Sequence, residues 1–187
     1  MKIAIFCGSS AGHSPQFVES TKVLGNYLAR NGIDVVYGGG NVGLMGVIAD
    51  SVLAAGGRVY GVIPEDLKNK EIAHPNLTDL KVVEDMHQRK AAMANMADAF
   101  VALPGGPGTL EEIFEAWTWA QLGHHAKPCA FYNMNGFYDS LKAMIDTMST
   151  SGFIKPEYAQ MLIHVDTPEA LLSAMSVYQA PKNKWAK

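Results

Sequence analysis

The sequence predicts an α/β protein built on a doubly wound, Rossmann-like parallel sheet of about seven strands with helices on both faces. Short apolar runs rich in Ile, Val and Phe alternate with longer segments of helical period, which is the pattern of repeated βαβ units. The runs are apolar throughout, as the buried strands of parallel sheets are. The 187 residues and the hydrophobic content of 48% suit a single domain, residues 1–187, with a tail that frays from about residue 180.

The first half of the chain contains three strands and two helices. Ser14 and Pro15 have the residue types of a helix N-cap and a first helical position, and Asn31-Gly32 ends that helix. Gly56-Gly57 ends the second helix, and Pro64 closes the third strand. The elements expected in order are a strand at 2–7, a helix at 15–30, a strand at 33–37, a helix ending near residue 55 and a strand at 58–63.

The second half continues the alternation after a charged, irregular segment, residues 65–75, which is typical of a surface loop. Asp85 can cap the helix after the fourth strand, because its carboxylate can accept a backbone N–H. The elements expected here are a strand at 79–83, a helix at 86–97, a strand at 99–104, a helix at 109–122, a strand at 128–133, a helix at 138–150, a strand at 161–165 and a helix at 167–178.

Composition and charge exclude several classes of protein. The net charge of -3 and the pI near 6.0 give no basic field, so we expect no nucleic-acid partner. Cys7 and Cys129 lie far apart without metal-ligand spacing, which favours reduced thiols and no metal. The N-terminal apolar run is only five residues long, too short for a secretory signal, and no later segment reaches the length of a membrane span. We therefore expect a cytoplasmic protein that does not bind membranes.

Three glycine-bearing turns, "CGSS", "GGGNVGLMG" and "PGGPGTLEE", follow the first, second and fifth expected strands. Doubly wound sheets bind ligands outside the carboxyl ends of their strands, so these turns favour a nucleotide-like ligand. Glycine also allows close backbone packing, which leaves a purely structural explanation open. Gly38, Gly40 and Gly43 fit the dinucleotide pattern G-x-G-x-x-G, but Arg58 stands where the ribose-binding acid is expected, which weakens an interpretation as an NAD site. No turn ends in G-K-[ST], so a monophosphate is the simplest anion.

Two pairs of charged residues near these turns indicate chemistry. Arg89 and Lys90 lie near the start of a helix, where cations oppose the helix dipole. Arg89 suits a bidentate grip on phosphate or carboxylate, whereas a solvated helix face explains Lys90 equally well. Glu111 and Glu112 fall in the first turn of the helix expected from Thr109, where acids stabilise the dipole. One glutamate satisfies the dipole, which leaves the other to position water or to stabilise positive charge on a sugar.

The stretch "PGGPGTLEE" matches P-G-G-x-G-T-x-x-E, and "DMHQRK" precedes it at the expected distance. Together with "GGGNVGLMG", these motifs resemble the LONELY GUY (LOG) family of cytokinin riboside 5'-monophosphate phosphoribohydrolases. The resemblance implies a Rossmann-like fold, a homodimer, and cleavage of the N-glycosidic bond of a nucleoside monophosphate to free base and ribose 5-phosphate, without a cofactor or metal. Some relatives carry the name lysine decarboxylase, but no lysine here has a convincing Schiff-base context for a pyridoxal cofactor.

Position by position, the resemblance implies Arg89 and Glu112 as the catalytic pair. We hypothesise that Glu112 orients water at the anomeric carbon, that the glycine turns bind the 5'-phosphate, and that Arg89 holds the phosphate or orients Glu112. Pro107 departs from the commonest family pattern, in which tyrosine is frequent, so any contact made by that ring is lost. The substrate-binding residues that the resemblance implies are Gly8, Ser9, Gly39, Gly40, Gly43, Met45, Glu71, Lys90, Gly105, Gly106, Pro107, Gly108, Thr109, Leu110, Glu111 and Thr118.

Two other functions stay open on the sequence. LONELY GUY-like folds also resemble molybdenum-cofactor carriers, which makes a non-catalytic nucleotide- or cofactor-binding protein the first alternative. The G-x-G-x-x-G pattern alone suggests the second, an NAD-dependent enzyme. The aromatic residues Trp117 and Trp119 could lie at a dimer interface, although core packing is the commoner position for tryptophan.

Overall fold

The computed structural model describes residues 1–68 and 72–185 of the chain. Within them the strands are β1 (Lys2–Phe6), β2 (Asp34–Tyr37), β3 (Val59–Pro64), β4 (Asp79–Val83), β5 (Ala99–Ala102), β6 (Cys129–Tyr132) and β7 (Leu162–Val165). The helices are α1 (Pro15–Arg30), α2 (Gly43–Ala54), α3 (Glu65–Lys68), α4 (Met86–Met96), α5 (Pro107–Leu122), α6 (Asp139–Thr150), α7 (Pro156–Ala159) and α8 (Pro168–Ser176), with a 3-10 turn at Met134–Gly136.

The described strands form one parallel sheet of seven, in the order β4-β3-β2-β1-β5-β6-β7. β1 lies at the centre, where Ile3 pairs with Val35 of β2 on one side and with Ala99 of β5 on the other. The chain builds outward from β1 to β4 on one side and then returns to continue from β5 to β7 on the other. This arrangement confirms the predicted doubly wound α/β fold, and it places the topological switch point between β1 and β5.

Each face of the sheet carries its own hydrophobic core, because successive side chains of a strand point to opposite sides. Ile3 and Ile5 of β1 pack with Leu24 and Leu28 of α1 on one face. The other face buries the remaining strand positions against α4 and α5, as Phe6 does. Burial of each such side chain stabilises the fold by about 1.5–3 kcal/mol. Burial on both faces explains why the central strands β1 and β5 are rich in apolar residues.

The helix caps largely follow the sequence. The Ser14 hydroxyl accepts the Gln16 N–H, and the Asp85 carboxylate accepts the Gln88 N–H at 2.8 Å. Two expectations were wrong. Residues 65–68 form the short helix α3 instead of an irregular loop, and α5 begins at Pro107 instead of Thr109. Proline suits the first helical position because it has no N–H to leave without a partner, so α5 starts one half-turn earlier than the glycines suggested.

Two further expectations concern the cysteines and the C-terminal tail. Cys7 and Cys129 are free thiols. Residues 180–185 form no helix or strand, although the Lys184 N–H donates to the Gln121 carbonyl oxygen at 2.9 Å. In the described ranges, no helix has both the length and the apolar character needed to cross a membrane.

Candidate active site

A crevice of about 310 Å³ opens at the switch point, beyond the carboxyl ends of the central strands. The turn after β1 and the start of α5 both contribute residues to its lining. Gly38 after β2 and the first turn of α4 line it as well. The lining residues are Ile5, Phe6, Cys7, Gly8, Ser9, Gly38, Met45, Leu67, Met86, Arg89, Gly106, Pro107, Gly108, Thr109, Glu111 and Glu112.

The glycine turns pack directly against one another, backbone to backbone. The Gly8 N–H donates to the Pro104 carbonyl oxygen at 3.0 Å, and a Cβ on Gly8 would lie 3.3 Å from the Gly105 Cα. Gly43 has a positive φ of 55°, and a Cβ there would collide with the backbone of Ser9. Close packing therefore requires glycine at Gly43 and leaves little room for a side chain at Gly8, whether or not a ligand is bound.

Gly38 makes room for the guanidinium of Arg89. A Cβ on Gly38 would overlap the Arg89 Nη2, so the side chain passes directly over the glycine. Arg89 is the fourth residue of α4 and is only 6% exposed. Its Nη1 lies 3.6 Å from the Met86 sulfur. The capped start of α4 thus holds a buried cation at the wall of the crevice.

Glu112 faces the same crevice from α5. Because α5 begins at Pro107, Glu111 and Glu112 are its fifth and sixth residues and lie beyond the first turn. The structure therefore corrects the expectation that the first-turn dipole accounts for one of them. Burial raises the pKa of the Cys7 thiol far above its usual value, the negative charge of Glu112 raises it further, and the positive charge of Arg89 opposes this. The thiol thus stays neutral between two opposite charges.

The start of α5 is open to a ligand. Gly106 is the N-cap, and no side chain caps this helix. A Cβ on Gly106 or on Gly108 would meet nothing within 4 Å, so packing does not demand glycine at these two positions. The first N–H groups of a helix have no intrahelical acceptor and attract anions. Since Pro107 has no N–H, an anion here would be held by its neighbours, Gly108 and Thr109.

The structure brings together both predicted catalytic residues and a large part of the predicted binding set. Arg89 and Glu112 line the crevice with eight of the predicted substrate-binding residues. These eight are Gly8, Ser9, Met45, Gly106, Pro107, Gly108, Thr109 and Glu111.

The remaining predicted residues lie elsewhere. Gly39 and Gly40 support the segment after α3, since the Gly39 carbonyl oxygen accepts the His74 N–H at 2.9 Å and Gly40 bridges to Ala73. Gly43 starts α2 behind Ser9, and Gly105 lines a neighbouring cavity of about 280 Å³. Leu110 packs into the core, Thr118 is exposed further along α5, and Lys90 contacts Glu111 and Glu115. Glu71 lies outside the described residues.

Sequence reasoning missed several residues that line the crevice. Cys7 is the residue before Gly8 at the end of β1, a position that could have been assigned from the strand and its turn. Met86 stands one turn before Arg89 on the helix that was already singled out. Leu67 belongs to α3, which was expected to be an irregular loop, so no helical pattern indicated its position.

The described residues offer no cluster suited to a metal. Among residues 1–68 and 72–185, no group of three or more His, Cys, Asp or Glu side chains could hold a metal ion. The charged groups of the crevice are one buried arginine and two glutamates. The arginine suits an anionic group of a ligand, and the glutamates suit a part of the same ligand that gains positive charge during a reaction.

A doubly wound sheet with this crevice at its switch point defines a Rossmann-like α/β protein with a candidate nucleotide site. Residues 45–175 match a protein-family model described as "Possible lysine decarboxylase". A cytokinin riboside 5'-monophosphate phosphoribohydrolase of Arabidopsis thaliana is 47% identical over 178 residues, which cover 95% of this chain and 82% of the relative. A protein of Oryza sativa subsp. japonica with the printed name "Probable cytokinin riboside 5'-monophosphate phosphoribohydrolase" is 46% identical over 98% of this chain and 85% of its own length. The chain belongs to this family, the LONELY GUY family, which confirms the resemblance of the motifs.

Solved structures of lower identity share the fold. A molybdenum cofactor binding protein of Rippkaea orientalis superposes with a TM-score of 0.70 at 20% identity, over 94% of each chain. The molybdenum cofactor carrier protein of Chlamydomonas reinhardtii gives a TM-score of 0.68 at 17% identity, over 94% of this chain and 95% of the carrier. At such identities the likeness concerns the fold alone.

Proposed function

We propose that this protein hydrolyses the N-glycosidic bond of a purine nucleoside 5'-monophosphate and releases the free base and ribose 5-phosphate. The observation that carries the proposal is the meeting of Arg89, Glu112 and the start of α5 in one crevice. Family membership supports it, because the named relatives are phosphoribohydrolases of cytokinin riboside 5'-monophosphates. The N6-modified adenine nucleotides in those names are the first substrates to test, beside plain AMP.

The proposed binding mode divides the ligand between two kinds of group. The 5'-phosphate lies on the free N–H groups at the start of α5, where Gly106 and Gly108 leave room for it. The ribose extends along α5 toward Glu112, one turn further on. Arg89, which lines the same crevice, holds the phosphate or keeps Glu112 oriented. This division explains how an anion cradle and carboxylates can serve one ligand.

The proposed chemistry follows from the charge that develops on the sugar. As the bond from C1' to the base breaks, its electron pair goes to the base nitrogen and the ribose gains oxocarbenium character. The carboxylate of Glu112 stabilises that charge and orients a water molecule toward C1'. The water oxygen then forms the new bond to C1', and its proton ends on the departing base or in solvent. Water is thus added across the C1'–N bond, and the products are the free base and ribose 5-phosphate.

The experiment is a panel of AMP, isopentenyl-AMP, the matching nucleosides and NAD, scored for free base and ribose 5-phosphate. We expect base release from the monophosphates and about 100-fold less from the nucleosides, because the phosphate anchors the substrate. Glu112→Gln should lower kcat by about 100-fold or more while the protein stays folded. Glu19→Gln is the matched control, since Glu19 pairs with Lys22 on the surface of α1.

Three results would contradict the proposal in different ways. Tight retention of a nucleotide without product would indicate a carrier. Turnover of NAD alone would indicate a dinucleotide enzyme. Near wild-type activity in Glu112→Gln would remove the catalytic assignment of that residue.

We also propose that the protein acts as a cytoplasmic homodimer. Trp117 does not belong to such an interface, because it is buried and its Nε1–H donates to the Tyr158 carbonyl oxygen at 3.0 Å. Trp119 and Thr118, on the more accessible side of α5, are the available positions. Light scattering of the purified protein tests the dimer, and a monomer at assay concentration would contradict it.

A further inference from the structure

Lys90 joins the two helices that carry Arg89 and Glu112. Its Nζ lies 2.6 Å from Glu111 Oε1 and 3.0 Å from Glu115 Oε2. The Lys90 side chain is only 10% exposed, and that of Glu115 is 27% exposed. The Glu111 side chain is 55% exposed, so Glu115 is the less exposed of the two partners. A charge-assisted bond of this length to a largely buried lysine is stronger than an ion pair between two exposed groups. The contact therefore fixes α4 against α5 at one point.

The bridge stands next to the candidate catalytic pair on both helices. Lys90 follows Arg89 directly on α4, and Glu111 precedes Glu112 directly on α5. Neighbouring residues of a helix point about 100° apart, so Arg89 can reach into the crevice while Lys90 reaches across to α5. The bridge therefore joins the two helices at positions directly next to the two crevice residues.

The two carboxylates need the lysine between them. Glu111 and Glu115 are four residues apart and share one face of α5, where like charges repel. Burial alone would lower the pKa of Lys90, but its hydrogen bonds to Glu111 and Glu115 outweigh burial and raise it. The two carboxylates thus favour the charged ammonium. Without it, Glu112 would lie beside two uncompensated negative charges.

We propose that Lys90, Glu111 and Glu115 form a positioning unit that sets Arg89 against Glu112 for hydrolysis. This inference rests on the proposed function. It gives Lys90 and Glu111 a positioning role beside the substrate contacts that the family resemblance implies, and it adds Glu115. Glu111 lines the crevice, whereas Lys90 and Glu115 are not among its lining residues.

The test measures kcat, KM and thermal unfolding for Lys90→Met, Lys90→Arg and Glu115→Gln with AMP as substrate. Lys90→Met should lower kcat by about 10- to 100-fold with KM within about threefold, because a small misplacement of catalytic groups slows the chemical step. Lys90→Arg should restore part of kcat. Glu115→Gln keeps the Lys90 contact with Glu111, so it should fold even if Lys90→Met does not, and should lower kcat by a smaller factor.

Two further variants isolate the bridge. The double variant Lys90→Met/Glu115→Gln should be no slower than Lys90→Met alone, since both changes remove the same contact. Lys22→Met breaks the exposed pair with Glu19 on α1 and should leave kcat unchanged.

The outcomes separate this inference from the proposed function. A tenfold rise in KM with unchanged kcat in Lys90→Met would make Lys90 a substrate contact and overturn the positioning role. Unchanged kcat in a folded Lys90→Met variant would also overturn the positioning role. If the wild type released base in the same assay, the proposed function would still stand. A wild type that releases no base from any monophosphate would overturn the proposed function, and the positioning role with it.

Discussion

Gly105 and Gly108 should respond in opposite ways to one added methyl group. A Cβ on Gly105 would collide with the Thr109 Oγ1 and lie 2.9 Å from the Gly8 nitrogen, which belongs to the backbone and cannot rotate away. Overpacking of this kind costs about 1–3 kcal/mol. A Cβ on Gly108 would meet nothing within 4 Å, and Gly108 is already helical, at the second position of α5.

The expected magnitudes follow from these contacts. Alanine stabilises a compatible helical position relative to glycine by about 0.4–1 kcal/mol. At about 2–4 °C per kcal/mol for a chain of this size, Gly108→Ala should raise Tm by about 1–4 °C, while Gly105→Ala should lower it by about 2–12 °C. The same methyl on Gly108 would stand where we propose that the phosphate lies. The KM of the Gly108→Ala variant for AMP should therefore rise at least about tenfold, which corresponds to a loss of about 1.4 kcal/mol in binding free energy.

The assay combines thermal unfolding followed by circular dichroism with initial rates on AMP and on adenosine. Adenosine lacks the phosphate, so its slow turnover should be little affected by Gly108→Ala, and the preference for AMP should shrink. An unchanged KM for AMP in a Gly108→Ala protein that is as stable as the wild type would refute the placement of the phosphate. An unchanged Tm in Gly105→Ala would refute the packing argument for that glycine.

Two other predictions test the site and the core. Gly38→Ala should lower kcat/KM by about 100-fold, because its Cβ would displace the Arg89 guanidinium from the crevice wall, and steady-state kinetics beside a thermal melt checks this. Burial raises the pKa of Cys129 from 9.0 to about 12, so above about pH 9 the unfolded thiol loses its proton while the folded thiol keeps it. The free energy of unfolding should then fall by up to about 1.4 kcal/mol per pH unit on account of this group. Urea titrations at several pH values under reducing conditions should give a shallower decline in Cys129→Ala, and an equal decline in both proteins would contradict the prediction.

Most of the fold could be predicted because its signals are local. β4 has the bounds that were predicted for it, Asp79–Val83, and α1 begins at Pro15, directly after the predicted N-cap Ser14. The start of α5 was placed two residues late, because glycines on both sides of Pro107 read as a turn. The four-residue helix α3 has no room for an apolar period, so its charged sequence resembled a loop.

The sequence motifs identified the two catalytic candidates of the site, but they did not indicate which residues those candidates contact. Arg89 and Glu112 were identified from motifs, yet nothing local to either indicates that Gly38 lies under the guanidinium. Lys90 and Glu115 are separated by a strand and a turn, so their contact depends on how α4 and α5 pack on the same face of the sheet. The sequence was equally compatible with Lys90 on a solvated helix face and with Lys90 as a binding residue. The structure adds a third role, the contact of Lys90 with Glu111 and Glu115.

The glycine motif carries two kinds of information that the structure separates. Gly38 makes room for the Arg89 side chain. Gly8, Gly43 and Gly105 instead pack closely against the backbone of neighbouring turns, so a non-catalytic protein that keeps this meeting of turns would need small residues there as well. These glycines therefore report on the architecture and cannot distinguish a hydrolase from a carrier. Gly106 and Gly108 have open space above them, so packing does not account for glycine there, whereas room for a bound anion would. The choice between the two functions thus depends on these two glycines together with Arg89 and Glu112, because only they combine room for an anion with groups that can act on its sugar.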